Sequence, residues 1–134
     1  MLGININTDK FNVVGTPKTP EVMLNGVSGI LLFRGRSIPE NSVDFFEPIY
    51  NWIDYYSINP NVQTTLQIRL EYFNTSSSKC FLDLFRRLEK LHNGSSKVKV
   101  EWFFEVDDED MEEAGQDYQA IVDLPFELIE VEEI

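Results

Sequence analysis

Two stretches that alternate apolar and polar residues, with one helical stripe between them, constrain this chain more than anything else in it. Over residues 64–73, Leu66, Ile68, Leu70 and Tyr72 share one side of an extended chain until Phe73 falls out of step. Over residues 98–106, Val98, Val100, Trp102, Phe104 and Val106 repeat the pattern. A period of two marks a strand with one face against a core. Between them Phe81, Leu84, Phe85, Leu88 and Leu91 recur at helical spacing, with Arg86, Arg87 and Glu89 opposite, and Asn93-Gly94 stops the helix.

The flanking segments extend this unit. Residues 1–20 read as irregular, because Thr16-Pro17-Lys18-Thr19-Pro20 cannot continue a helix, and residues 1–15 are expected to be loosely ordered. Val22–Leu24 and Gly29–Gly35 read as two strands joined at the turn dipeptide Asn25-Gly26. Arg36–Ser42 reads as a loop into a helix whose apolar face carries Phe45, Ile49, Trp52, Ile53 and Tyr56. Asn41, Ser42 and Asp44 are all suitable caps for it, and Pro48 fits best near a first turn that begins at Asp44. After Asn93-Gly94 and the second alternating strand, Asp110-x-x-Glu113 suits the start of a short helix through about Tyr118, and Phe126–Val131 reads as a closing strand. The expected order is β-β-α-β-α-β-α-β over residues 1–134, one α/β domain whose sheet is mixed because it opens with a hairpin.

Composition narrows the function. Hydrophobic residues make up 43% of the 134, which supports a packed core rather than disorder. No apolar run is long enough to span a bilayer, and the first residues lack the pattern of a signal peptide. The single cysteine, Cys80, has no internal partner for a disulfide, so cytoplasm is the expected compartment. The net charge of −12 is concentrated at one end: residues 1–100 hold all 11 Lys and Arg with 9 acids, and residues 101–134 hold 14 acids and no Lys or Arg. No basic stripe suggests nucleic acid. The acidic quarter reads as a solvated face, as a docking surface for a basic partner, or as the counterpart of Arg86, Arg87, Lys90, Lys97 and Lys99.

Catalytic signals are missing. There is no phosphate-binding glycine loop and no Cys or His pair at zinc spacing, so no cofactor and no metal is expected. His92 reads as a surface residue near a helix end, and Cys80 as a packed thiol. Asp107–Asp110 lacks the calcium-loop pattern. The chain is expected not to be an enzyme.

What does stand out is Asn74-Thr75-Ser76-Ser77-Ser78, where the first alternating strand meets the helix. Side-chain oxygens there accept from the first amides of a helix, but one cap needs one hydroxyl and this run is richer. Arg36-Ser37-Ile38-Pro39-Glu40-Asn41-Ser42 and Leu70–Lys79 together resemble the SiaC family of bacterial regulatory phosphoproteins. That family carries a Pro-Glu-Asn-Ser loop before its first helix and Tyr-x-Asn-Thr-Ser-Ser-x-Lys between a strand and its second, and the element order is similar over about residues 15–130.

The resemblance implies a SpoIIAA-like (STAS) fold and no catalysis. It implies phosphorylation at Thr75 by a Ser/Thr partner-switch kinase and its reversal by a PPM-type phosphatase. Asn74, Ser76 and Ser77, with Pro39, Glu40 and Asn41, would form the surface that kinase and target read. In the family's best-known branch the unphosphorylated protein activates a diguanylate cyclase and promotes biofilm, and a cyclase is the target the resemblance offers. Without phosphorylation, the chain reads as a constitutive interaction module that uses its acidic quarter.

Overall fold

The computed structural model describes residues 8–134. The elements are β1 (Lys10–Val13), β2 (Glu21–Asn25), β3 (Ile30–Ser37), α1 (Ser42–Tyr56), β4 (Gln63–Phe73), α2 (Thr75–His92), β5 (Lys97–Glu105), α3 (Glu109–Ile121) and β6 (Phe126–Val131). They build one six-stranded sheet in the order β1-β2-β3-β4-β5-β6. The first three strands pair antiparallel and the last four parallel. The mixed sheet packed by helices is therefore as read from the sequence, with one strand more than expected. Lys10–Val13, within the segment read as irregular and loosely ordered, pairs with Val22–Asn25. Residues 1–7 of that segment lie outside the described residues.

Each of the three helices joins neighbouring parallel strands, and the strand order always advances in one direction. Right-handed crossovers then place all three helices on the same face. Val22, Leu24, Leu31, Phe33, Leu66, Ile68, Val98, Val100 and Trp102 turn to that face and merge with Phe46, Ile49, Ile53, Phe81, Leu84, Phe85 and Leu88 in one core. Phe81 sits edge-on to both Phe33 and Phe46, which locks α1 and α2 onto β3. The opposite face carries polar pairs: Gln67 donates to Glu101, Lys99 lies 3.5 Å from the same carboxylate, and the Arg69 guanidinium stacks 4.2 Å from the Phe103 ring.

The pairing of β3 with β4 is broken once. Gly35 pairs with Leu70, but Arg36 pairs with Tyr72, so Glu71 is an extra residue in β4. A bulge of this kind reverses the side-chain alternation beyond it. Tyr72, expected on the core side, is 51% exposed, and Phe73 turns inward against Phe81 and Trp102. Gly35 accommodates the kink at φ 115, a backbone region that side chains with a Cβ disfavour.

The local starts and stops also differ in places. The hairpin between β2 and β3 has four loop residues, 26–29, rather than a tight Asn-Gly turn, and Asn25 Oδ1 holds it by accepting from the amides of Val27 and Ser28. Arg36 and Ser37, read as loop, finish β3. Asn41 caps α1 by accepting from the Asp44 amide, so Pro48 lies inside the helix rather than at its first turn. Pro48 and Asp44 are both exposed, which leaves the unpaired Asp44 carbonyl to water. Asp108, not Asp110, caps α3, which runs to Ile121.

Candidate functional site

The three helices begin at the carboxyl ends of the parallel strands, capped by Asn41, Asn74 and Asp108. This is the edge where open α/β sheets gather their sites. At its centre the four hydroxyls of Thr75–Ser78 have four different surroundings.

Ser77 is fully buried. Its hydroxyl donates to the Ser37 carbonyl at 2.9 Å and lies 2.8 Å from the Ser37 hydroxyl. A serine has one proton to give, so Ser37 is the donor in the second bond. The Asn74 amide donates to the same Ser37 carbonyl, and the Asn74 side chain accepts from the Ser77 amide at 2.9 Å. Ser76 donates to Asn74 Oδ1 and accepts, at 2.7 Å, from Ser42 at the start of α1. Ser78 faces the other way: the Tyr118 hydroxyl of α3 donates to its carbonyl at 2.7 Å, and the Ser78 hydroxyl lies 3.0 Å from the same phenol oxygen. Burial pushes the Tyr118 phenol above its ordinary range, which keeps it a proton donor here.

Thr75 is the exception. It is exposed at the first position of an 18-residue helix, and its hydroxyl has no partner among the described residues. Asn74 caps the amide of Ser77, and the Ser78 amide opens the helical ladder, so those of Thr75 and Ser76 remain for an outside acceptor. The exposed Lys79 follows one turn later. A hydroxyl here is reachable, and an anion attached to it would meet orphan amides and the positive end of the helix.

The structure thus brings Asn74, Ser76 and Ser77 against the segment that carries Pro39, Glu40 and Asn41, through bonds to Ser37 on one side of it and Ser42 on the other. Pro39 is buried, while Glu40 and Asn41 are exposed. Ser37, Ser42 and Tyr118 are the residues sequence reasoning did not single out for this network. Ser37 and Ser42 lie within the loop motif, but nothing in a linear sequence pairs them with Ser77 and Ser76.

Other sequence readings find their place. Cys80 is a buried thiol whose pKa is pushed up chiefly by burial, against a smaller opposing effect from the Tyr50 hydroxyl. His92 is not a plain surface residue: its Nδ1 accepts from the Val98 amide at 3.0 Å and ties the end of α2 to β5. The basic residues do not lie opposite the acidic quarter as a set. Arg87 binds Asp54 and Arg86 binds Glu89, and among the described residues only Lys99 forms an ion pair with an acid of the last 34 residues, Glu101. Among the described residues no three His, Cys, Asp or Glu side chains gather to share a metal ion, and no helix is long and apolar enough to cross a membrane.

Residues 13–131 match the model of the SiaC family regulatory phosphoproteins. The chain is 30% identical over 115 residues to the uncharacterized protein PA14_02130 of Pseudomonas aeruginosa (strain UCBPP-PA14), covering 86% of this chain and 91% of the relative. Among solved structures it is similar to a chain in the crystal structure of the diguanylate cyclase SiaD in complex with its activator SiaC from P. aeruginosa, with a TM-score of 0.85 and 28% identity over 90% of this chain and 99% of that one. Apo-SiaC from the same organism superposes with a TM-score of 0.81 and 28% identity, over 90% of this chain and 98% of the other.

Proposed function

The chain belongs to the SiaC family of regulatory phosphoproteins, and we propose that it is a non-catalytic cytoplasmic switch whose binding to a target protein is set by reversible phosphorylation of Thr75. The observation that carries this reading is the contrast among four adjacent hydroxyls: three tie α2 to α1, β3 and α3, and that of the exposed Thr75 alone has no partner among the described residues. A Ser/Thr kinase of the partner-switch type adds the phosphate and a PPM-type phosphatase removes it. The similarity to SiaC, described as the activator of the diguanylate cyclase SiaD, supports a diguanylate cyclase as the target class.

The physics of the switch is local. A phosphate on Thr75 brings about 1.5–2 negative charges and three acceptor oxygens. At a helix N-terminus these are favoured by about 0.3–1 kcal/mol, so the domain keeps its fold. A partner packed over the same surface must strip water from the dianion and make room for it. A conflict of about 1.4 kcal/mol already lowers affinity tenfold.

The test is intact-mass and peptide mass spectrometry on the protein purified from its own cells, with and without phosphatase, beside a Thr75→Ala variant. The expected result is one phosphate on the peptide containing Thr75, removed by phosphatase and absent from the variant. A variant phosphorylated to the same extent on the same peptide would overturn the reading.

A further inference from the structure

On the side of α2 that faces α3, two clefts meet. One, of about 330 Å³, lies between the helices and is lined by Phe73, Leu82, Ala114, Tyr118 and Ile121, with Ser78, Lys79 and Asp117 at its rim. The other, of about 290 Å³, continues past Phe73 and Ala114 toward Met111 and is rimmed by Glu71, Asp108 and Asp110. Phe73 and Ala114 belong to both, so the two form one groove with an apolar floor. Ile121 and Tyr72 at its borders are 54% and 51% exposed. The rim is negative: Glu71, Asp110 and Asp117 are exposed and none forms an ion pair among the described residues, against Lys79 in the lining, Arg36 at 6.0 Å from the Tyr72 ring, and Arg86, which is paired with Glu89 and donates to the Ile121 carbonyl.

We propose that this groove docks a cationic amphipathic segment of the target, an apolar side chain seated over Phe73 and Ala114 and Lys or Arg side chains set against Asp110, Asp117 and Glu71. The inference rests on the proposed Thr75 switch and names the surface that the switch controls. Charge complementarity selects the occupant: apolar anchors fill such a groove, and opposite charges on the rim set partner choice and encounter rate. A second copy of the chain suits it less, since each copy carries a net charge of −12. The placement also explains why Thr75 is the control point. Phe73 and Ser78, two residues before and three residues after it in the chain, both line the groove, although Thr75 itself does not. A phosphate there adds bulk and a tightly held hydration shell beside the groove, and a segment that packs over it must displace that water.

The experiment is fluorescence anisotropy on the full, unphosphorylated chain with three labelled 18-residue helical peptides. One has a leucine face and a lysine face, the second replaces the lysines with glutamate, and the third keeps the lysines and replaces the leucines with glycine. The Lys/Leu peptide should bind at least about tenfold more tightly than either of the others. Ala114→Arg and, separately, Ile121→Glu should each weaken it by about tenfold; Ile121 is exposed, so that variant keeps the fold intact. Equal binding by the lysine-only peptide, or undiminished binding by both variants, would overturn the proposal. So would a dimer in sedimentation that Ile121→Glu dissolves, since the groove would then belong to a second copy. No kinase enters this assay, so its failure leaves the Thr75 phosphorylation result standing, and the reverse also holds.

Discussion

The two flanks of the α2 N-terminus differ in what packs them. Toward β3 and α1 the contact is made by hydroxyls, Ser77 to Ser37 and Ser76 to Ser42, beside the Asn74 amide, which donates to the Ser37 carbonyl. Toward α3 the Tyr118 hydroxyl bonds Ser78, but the packing is made by rings, with Tyr118 edge-on to Phe85 and Phe73 edge-on to Trp102, and an apolar groove is left open above them. Buried hydroxyl bonds demand tight geometry, because a donor left without a partner costs its full desolvation. Stacked rings tolerate an exposed edge. The first flank therefore fixes where Thr75 stands, and the second presents a surface that something else can cover. On the proposed reading, a modification at Thr75 would act on the open flank without loosening the closed one.

Substitutions that break each flank should separate them. The largest effect is expected at Gly115 of α3, where an added Cβ would fall 2.5 Å from Trp102 Cδ1 and 2.7 Å from Leu128 Cδ2. Gly115→Val should lift α3 from the sheet and lower stability by about 3 kcal/mol, at the upper end for overpacking, read from the urea midpoint. An unchanged midpoint would show that α3 rides loosely on Trp102.

Next comes the hydroxyl flank. Ser77→Ala strands the buried Ser37 hydroxyl and should cost about 1–3 kcal/mol by the same measurement. It should also slow phosphorylation of Thr75 by disturbing its placement, whereas Ser78→Ala, on the other flank, should not. Equal effects from the two would erase the difference between the flanks.

The smallest effect is the phosphate itself. Stoichiometric phosphorylation at Thr75 should raise stability by about 0.3–1 kcal/mol, and added salt should diminish the gain, as expected for an exposed charge at a helix start. Differential scanning calorimetry of the two forms would measure it. A loss of stability would mean that the phosphate strains the Asn74 cap and that the proposed switch would work by disordering the site rather than by covering it.

What a linear sequence reveals of this fold depends on the length scale of each interaction. The alternation of Leu66–Leu70 and Val98–Phe104 and the stripe of Phe81–Leu91 are legible because each strand or helix reports its own buried face. Lys10–Val13 is not, because a four-residue edge strand paired on one side carries almost no pattern of its own. Tyr72 reads as a core residue because alternation assumes unbroken register, and the bulge at Glu71 depends on how β3 pairs with β4. The special standing of Asn74–Ser78 is legible as composition and as motif, but the division of labour within it is not.

By itself the sequence determined the α/β alternation, the place where strand β4 gives way to helix α2, and the concentration of acid in the last quarter, all of which depend on residues near one another in the chain. Only the tertiary structure decided which hydroxyl is left without a partner. Ser76, Ser77 and Ser78 are committed by Ser42, Ser37 and Tyr118, residues 34 to 40 positions away, and no local rule distinguishes them from Thr75. The same holds for the groove, whose floor joins the end of a strand to two helices. Local preference sets where a helix begins, and packing among distant segments sets which of its first side chains remain available.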